Sequence, residues 1–235
     1  MKNESILPSL QISRMDRLKP SMYLAIEGVI GVGKTTLARL LQPTFACDLL
    51  LEVFEENPFL SDFYGDRERF AFQTQIFFLL SRYRQQRVSV PKSLENGDLI
   101  SDYTFEKDAL FARLNLSGDE FDTYTLVHEA LAERIVRPDL TVFLKVDTDT
   151  AMQRIAMRDR SYERNMERAY IDSLNQAYEA FFSRLSTQNI LTIDTNNLDY
   201  VSRKEHLESV ANRIRDALGI PPFQPELPMS GEQLT

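Results

Sequence analysis

The sequence is poor in the residues that cross-link chains or bind zinc. Its 235 residues include one cysteine, Cys47, and two histidines, His128 and His206. A single thiol cannot form an internal disulfide, and these three residues give none of the paired spacings of a structural zinc site. The sequence therefore excludes a disulfide-rich scaffold, makes a zinc site unexpected, and favours a reducing compartment.

Long apolar runs are also missing. No uninterrupted apolar stretch is longer than that of residues 76–80, which is far below the roughly 18 residues of a membrane-spanning helix. Residues 1–20 contain no continuous apolar centre of the kind found in signal peptides. We expect a cytoplasmic protein without a membrane partner.

Positive charge is scarce. The chain has 27 Lys and Arg residues against 35 Asp and Glu residues, which gives a net charge of -8. A nucleic-acid polymer is bound through clustered cations, so this balance disfavours an extended surface for such a partner. A small anionic ligand can still bind in a local basic pocket. The apolar content of 43% and charged content of 26% are typical of one globular domain.

Apolar segments alternate with helical patterns along the chain. Strand patterns cover residues 22–27, 49–53, 99–102, 140–146 and 190–193. Helical patterns cover residues 34–41, a segment from residue 59, residues 67–88, residues 107–135 with a break at 117–118, residues 148–157, a segment ending at 185, and residues 201–218. Pro43 and Pro91 are expected to end the first and third of these helices. The alternation predicts a three-layer α/β fold, in which helices cover both faces of a five-stranded parallel sheet.

We expect one domain over residues 22–218. Residues 1–21 are interpreted as an N-terminal extension that docks or frays, with a weak amphipathic helix as the alternative. Residues 219–235 are rich in proline and polar side chains, which predicts a flexible tail.

The strongest motif lies between the first strand and the first helix. Residues 28–35 read GVIGVGKT and match the pattern G-x-x-x-x-G-K-[ST] of a phosphate-binding P-loop. Its backbone N–H groups surround phosphates, the lysine reaches the β- and γ-phosphates, and the hydroxyl binds Mg²⁺. We expect a nucleoside triphosphate, ATP, with Mg²⁺ here. The predicted nucleotide-binding residues are Gly28, Gly31, Gly33, Lys34, Thr35 and Thr36.

Acidic residues follow the second and third strands. In an open parallel sheet, ligands bind beyond the carboxyl ends of the strands, where Glu52 and Asp102 are expected. A carboxylate there can accept the proton of an attacking hydroxyl or hold Mg²⁺. We assign the first role to Glu52 and the second to Asp102, together with Thr35. Without the P-loop beside them, solvated turn residues would be the preferred interpretation.

Several stretches, taken in order, resemble the deoxynucleoside kinase family, which includes deoxycytidine, deoxyguanosine and bacterial deoxyadenosine kinases. The resemblance covers nearly residues 22–218. The matching stretches are residues 26–36, residues 52–59 (EVFEENPF), Phe63-Tyr64, residues 72–75 (FQTQ), Ser81-Arg82, and Arg154-Ile155 with Arg158, Arg160 and Glu163. The resemblance implies transfer of the γ-phosphate of ATP to the 5′-hydroxyl of a deoxynucleoside with a purine base. It also implies a homodimer.

The resemblance assigns individual roles as well. Glu52 resembles the base for the 5′-hydroxyl, although the family's Glu-Pro-Val is here Glu52-Val53-Phe54. Tyr64 and Glu163 resemble the pair that holds the sugar 3′-hydroxyl. The residues that resemble those contacting the nucleobase are Gln75, Arg82 and Asp108.

Helical spacing supports part of this base-binding set. Gln75 and Arg82 are seven residues apart and share one helical face, and a glutamine can read a base edge with one donor and one acceptor. The alternative is a surface glutamine. Of the aromatic residues on the same helix, we expect one to touch the ligand and the rest to pack in the core; the three are Phe72, Phe77 and Phe78.

An arginine-rich segment predicts a lid over the transferring phosphate, at about residues 158–168. Arg154 and Arg158 lie one helical turn apart, and Arg160 follows. We expect Arg158 and Arg160 to act with Lys34 and Glu52 in catalysis, and Arg154 to bind the nucleotide. The alternative is a solvated face balanced by Asp159, Glu163 and Glu167.

One position departs from the family. An arginine usually follows the acidic residue after the third strand, whereas this chain has Tyr103 after Asp102. Lys107 or a lid arginine is expected to substitute. Two alternatives stay open. The first is a thymidylate-type nucleotide kinase, which is disfavoured because Glu52, Glu55 and Glu56 would repel the phosphate of its acceptor. The second is a regulatory module that binds nucleotides without turnover.

Overall fold

The computed structural model describes residues 20–185 and 189–221. Five strands form one sheet in the order β2-β3-β1-β4-β5, and every neighbouring pair is parallel. The strands are β1 Tyr23–Glu27, β2 Asp48–Leu50, β3 Leu99–Ser101, β4 Leu140–Lys145 and β5 Ile190–Asp194. The predicted five-stranded parallel sheet is confirmed.

Eight α-helices lie between and after the strands among the described residues. They are α1 Lys34–Phe45, α2 Leu60–Gly65, α3 Arg67–Asn96, α4 Lys107–Asn115, α5 Gly118–Ala132, α6 Thr148–Arg158, α7 Arg168–Arg184 and α8 Lys204–Leu218. Every residue of the central strand β1 is buried, which requires cover on both faces of the sheet. This is the predicted α/β architecture. None of the described helices is long and apolar enough to span a bilayer.

Both prolines that were expected to end helices lie inside them. Pro43 is in the last turn of α1, and Pro91 is followed by a further turn of α3. Val90, next to Pro91, is fully buried in a cluster with Tyr23 and Leu99. Burial of this face holds α3 against the sheet, so tertiary packing outweighs the local cost of the proline.

Several element boundaries also differ from prediction. Strand β2 ends at Leu50 rather than residue 53, and α8 begins at Lys204 rather than residue 201. The early end of β2 leaves Glu52 in a loop beyond the sheet, before the short 3₁₀ helix Phe54–Glu56. The predicted break near 117–118 is confirmed, since it separates α4 from α5. The N-terminal extension and C-terminal tail lie largely outside the described residues.

A buried carboxylate ties the end of β1 to two other elements. Glu27 is 1% exposed, and its Oε1 accepts hydrogen bonds from the backbone N and the hydroxyl of Thr104, at 2.5 and 3.0 Å. The Tyr178 hydroxyl donates to Oε2 at 3.2 Å. Burial raises the pKa of Glu27, although the charge of Lys107 opposes the shift. The residue that directly precedes the P-loop is therefore anchored to the β3–α4 loop and to α7.

The single cysteine lies in the turn between α1 and β2. Ala46 takes the left-handed conformation with φ 49°, and Cys47 behind it is 8% exposed. Burial raises the pKa of the Cys47 thiol to about 11. The thiol is thus both covered and protonated at neutral pH.

Candidate active site

The P-loop joins β1 to α1 and has the backbone conformation that its glycines allow. Gly28, Gly31 and Gly33 have φ values of 148°, 86° and 105°, a region that side chains with a Cβ rarely adopt. The ammonium of Lys34 donates to the carbonyls of Gly28 and Val29, at 2.7 and 3.1 Å. The loop therefore curls around the lysine at the N-terminus of α1.

The outer side of the loop is held by residues that lie near or beyond β5. The Tyr200 hydroxyl donates to Val32 O at 3.3 Å, and Arg154 Nη1 donates to the same carbonyl at 3.0 Å. Arg154 also binds Thr195 O at 2.8 Å. Arg154 therefore fixes the position of the loop. It lines a neighbouring cavity of about 490 Å³, to which Arg160 does not contribute.

Gly33→Ala is expected to impair binding of a nucleoside triphosphate. A Cβ at Gly33 would collide with the Tyr200 hydroxyl, and the left-handed backbone adds strain of about 1–2 kcal/mol. Because about 1.4 kcal/mol is tenfold in affinity, calorimetry should show at least a tenfold weaker Kd for ATP. Gly97→Ala is the control, since Gly97 has extended backbone and no neighbouring atom within 4 Å of its added Cβ. Unchanged affinity in Gly33→Ala would contradict the role of this contact.

A cavity of about 270 Å³ opens on the inner side of the loop. Most of the predicted site residues line it, and only Gly28 and Arg154 of that set do not. The predicted residues around this cavity are Gly31, Gly33, Lys34, Thr35, Thr36, Glu52, Tyr64, Gln75, Arg82, Asp102, Asp108, Arg158, Arg160 and Glu163. Residues from the P-loop, α2, α3, α4 and the predicted lid thus meet around one space.

Glu52 is the centre of a charged network in this cavity. Its carboxylate forms ion pairs with Arg82 and with Lys107, whose Nζ lies 2.5 Å from Oε2. Arg82 also pairs with Asp108. Burial alone would raise the pKa of Glu52, but the charges of Lys107 and Arg82 outweigh it and hold the pKa well below its ordinary value. Glu52 is therefore ionised and fixed in position.

Tyr103 does not enter the cavity. Its hydroxyl donates to Gln85 Oε1 at 2.7 Å, its side chain is fully buried, and its ring lies 5.3 Å from the Arg82 guanidinium carbon. It therefore packs behind the network. Lys107, from the first turn of α4, brings a positive charge to the cavity instead.

Two oxygen donors lie between the P-loop and β3. The Thr35 hydroxyl donates to Asp102 Oδ2, and Asp102 Oδ1 accepts a hydrogen bond from the backbone N of Glu52 at 2.8 Å. A hydroxyl and a carboxylate are ligands that suit Mg²⁺, which takes its remaining ligands from phosphates and water. The pair fits a magnesium ion. Within the described ranges, no group of three or more His, Cys, Asp and Glu side chains is placed to hold a metal.

Aromatic rings and the lid form another wall. The rings of Tyr64 and Tyr162 are stacked with centroids 6.0 Å apart, and the Arg160 guanidinium lies 3.9 Å above the ring centroid of Phe54. Glu163 is 4% exposed and accepts hydrogen bonds from Arg158 Nη2 at 2.6 Å. The residues predicted to hold a sugar hydroxyl, Tyr64 and Glu163, thus lie on this wall.

The far end of the cavity carries buried polar groups of α3 and α4. Gln75 is 2% exposed and shares the lining with Arg82, which agrees with their seven-residue spacing. Asp108 Oδ2 is buried without a hydrogen-bond partner among the described residues. Of the three phenylalanines, Phe78 lines the cavity, Phe72 packs against the core, and the half-buried Phe77 belongs to neither set. A ligand with hydrogen-bonding edges would satisfy this end.

Sequence reasoning assigned no role to the rings of Phe54, Tyr162 and Tyr200. The sequence could have placed Tyr162 in the site, because Tyr162 directly precedes Glu163 in the predicted lid. Tyr200 had none, because only the sheet order brings the segment after β5 to the P-loop.

The P-loop, the adjacent strand-end acids and the arginines opposite them define a P-loop phosphotransferase. A family model described as "Deoxynucleoside kinase" matches residues 24–218. The chain belongs to the deoxynucleoside kinase family, and it is a nucleoside kinase.

Individual relatives agree with this assignment. The chain is 31% identical over 201 residues to the deoxyguanosine kinase of Bacillus subtilis (strain 168), covering 83% of this chain and 97% of that protein. It is 34% identical over 169 residues to the deoxyadenosine kinase of Dictyostelium discoideum, covering 70% of this chain and 68% of that protein. The deoxyadenosine kinase of M. mycoides with bound dATP superposes with a TM-score of 0.73 and 28% identity, over 83% of this chain and all of the other.

Proposed function

We propose that this kinase transfers the γ-phosphoryl group of ATP to the 5′-hydroxyl of a purine deoxynucleoside. One observation carries the proposal: a single cavity is lined by the P-loop, Glu52, Gln75 and Asp108, and Glu52 contacts both Asp102 beside the loop and Arg82, which pairs with Asp108. An acceptor bound at the far end would present its hydroxyl to Glu52 and to a triphosphate in the loop.

The residues around the reacting atoms have separate tasks. The nucleoside O5′ forms a bond to the γ-phosphorus, the bond from phosphorus to the β–γ bridging oxygen breaks, and ADP leaves. Glu52 orients the hydroxyl and takes its proton. Lys34 holds the phosphates, while Arg158 and Arg160 neutralise the charge of the group in transfer. Catalysis is mainly positioning and electrostatic stabilisation, because Glu52 is held as a weak base.

Thr35 and Asp102 are the residues proposed to hold Mg²⁺. When bound, the ion would supply positive charge to the phosphates. Arg154 supports nucleotide binding indirectly, because its guanidinium fixes the carbonyl of Val32 in the P-loop.

The purine assignment rests on the base end of the cavity and on the relatives. Gln75 has a donor and an acceptor for a base edge, and the unpartnered Asp108 oxygen needs a donor. Arg82 fixes Asp108. Tyr64 and Glu163 are proposed to bind the 3′-hydroxyl. The relatives reported above are named deoxyguanosine and deoxyadenosine kinases, but a structure of the M. mycoides enzyme contains dCMP.

A coupled kinase assay across all deoxynucleosides and their monophosphates, with ATP and GTP as donors, tests this proposal. We expect deoxyguanosine or deoxyadenosine to have the highest kcat/KM, with Gln75→Ala losing most of that preference. Turnover of monophosphates alone would identify a thymidylate-type kinase. Binding of ATP and nucleoside without product would identify a regulatory module. A cytoplasmic location forms part of the proposal.

We also propose that the protein is a homodimer. Helices α4 and α7 line a mostly apolar groove of about 440 Å³ with Leu110, Leu114, Ala180 and Phe181. Ala180→Arg places a long, charged side chain in this groove. The molar mass measured by analytical ultracentrifugation is expected to fall from that of a dimer, twice 27.2 kDa, to that of a monomer, 27.2 kDa. Thr123→Arg, on the exposed surface of α5, is the control. A monomeric wild type would refute the proposal.

A further inference from the structure

The ammonium of Lys107 lies in the reaction cavity with most of its hydrogen-bonding capacity unused. Its Nζ donates to Glu52 Oε2 at 2.5 Å, and it lies 5.6 Å from the ring centroid of Phe111. Across residues 20–185 and 189–221, no second hydrogen-bond acceptor contacts it. An ammonium has three N–H donors, so two remain for a ligand. The residue is 9% exposed, and an ammonium this buried is costly to hold without further partners.

Glu52 already has another cation. Arg82 binds its Oε1 and is held in turn by Asp108, and the Arg82 side chain is only 5% exposed. The two cations balance the two carboxylates of Glu52 and Asp108, so charge neutralisation accounts for Lys107 but leaves two of its N–H groups unused.

The position of Lys107 relative to the P-loop gives a reason. Lys107 and Lys34 line the same cavity. Lys34 itself donates to the carbonyls of Gly28 and Val29, so its ammonium lies at the centre of the P-loop. Two ammonium groups that repel each other become favourable neighbours when an anion lies between them. The P-loop holds such an anion, the terminal phosphate of a nucleoside triphosphate.

We propose that Lys107 is a further catalytic residue, which donates its two remaining N–H groups to the γ-phosphate. Its ammonium would then form a hydrogen-bonded bridge between that phosphate and Glu52. This inference rests on the proposed function. As O5′ bonds to the γ-phosphorus and ADP leaves, Lys107 forms no covalent bond. It neutralises charge on the moving group, and it fixes the carboxylate that takes the hydroxyl proton.

The assignment also accounts for Tyr103. Tyr103, which follows Asp102, carries no charge and packs against Gln85 outside the cavity, so this position supplies no cation to the cavity. Lys107 approaches the same space from the start of α4 and supplies the charge from a different backbone position.

The test compares the affinities for ATP and ADP, which differ by the phosphate that Lys107 is proposed to contact. Calorimetry with Mg²⁺ should show that Lys107→Met weakens ATP binding at least about tenfold and ADP binding less than about twofold. Lys107→Arg keeps the charge and should retain most of the ATP affinity. In turnover, Lys107→Met should lower kcat about 100-fold, with the KM for the deoxynucleoside changed less than about threefold. Lys204→Met is the control, because Lys204 is exposed and pairs with Glu208.

Several results would overturn the inference. Equal weakening of ATP and ADP would mean that Lys107 contacts no part of the γ-phosphate. A raised KM with unchanged kcat would reduce it to placing the substrate. If Lys107→Met lowers the melting temperature, the ratio of ATP to ADP affinity is measured in Lys107→Gln instead, which is neutral but polar. A wild type that turns over no nucleoside while Lys107→Met still loses ATP selectivity would refute the proposed function and leave the phosphate contact intact.

Discussion

Lys34→Met is expected to remove nearly all nucleotide binding while leaving the fold intact. The ammonium is half-buried in the P-loop, and its desolvation together with the charge of Lys107 lowers its pKa to about 8. Holding this charge therefore lowers the stability of the folded protein. A methionine has a similar shape and no charge, so it does not have this desolvation cost. The triphosphate is what makes the lysine favourable, so its loss should weaken ATP binding by roughly 100-fold and kcat/KM by roughly 1000-fold.

The two halves of this prediction are measured separately. Calorimetry gives the Kd for ATP, and thermal unfolding without nucleotide should show a melting temperature no lower than that of the wild type. Lys145→Met is the matched control, because Lys145 forms a half-exposed ion pair with Glu179, away from the P-loop cavity. ATP affinity within tenfold of the wild type would remove Lys34 from the proposed site.

Glu52→Gln is expected to combine a large loss of turnover with a measurable loss of stability. The amide can neither orient the hydroxyl with a full negative charge nor accept its proton, so kcat should fall by about 100- to 1000-fold. Lys107 and Arg82 would also lose their shared carboxylate, and a buried charged hydrogen bond of this kind contributes about 1–3 kcal/mol. The side chain is 17% exposed, so the lower half of that range is expected.

Glu55→Gln provides the comparison for this variant. Glu55 lies three residues further on, is exposed, and contacts none of the cations of the network among the described residues. Steady-state kinetics and urea unfolding should leave it indistinguishable from the wild type. If Glu52→Gln keeps kcat within about fivefold, another group takes the proton and the assignment of Glu52 is wrong.

The features that were predictable from the sequence are those in which neighbouring residues act together. The P-loop follows β1 directly, so strand, glycine turn, lysine and helix are contiguous and identify themselves. Glu52 and Asp102 could be placed at one edge because parallel strands end there together. Gln75 and Arg82 share a lining because their spacing is helical.

What could not be predicted depends on packing between distant segments. Arg154 and Arg158 share a helical face, yet Arg154 turns to Thr195 because β5 lies beside β4 in the sheet. Pro91 continues a helix because Val90 is buried against β1 and β3. Local patterns contain neither fact. The mutual neutralisation of Glu52 and Lys107 likewise exists only once α4 reaches the end of β2.

The buried cysteine behind α1 makes the chain its own unfolding sensor. With one thiol in 235 residues, alkylation can modify a single position, and no scrambled disulfides can accumulate during refolding. Because Cys47 is covered and protonated, a thiol reagent reacts only in molecules where the edge of the sheet at β2 has opened. The labelling rate therefore measures opening at the end of the helix opposite the P-loop, without any added fluorophore.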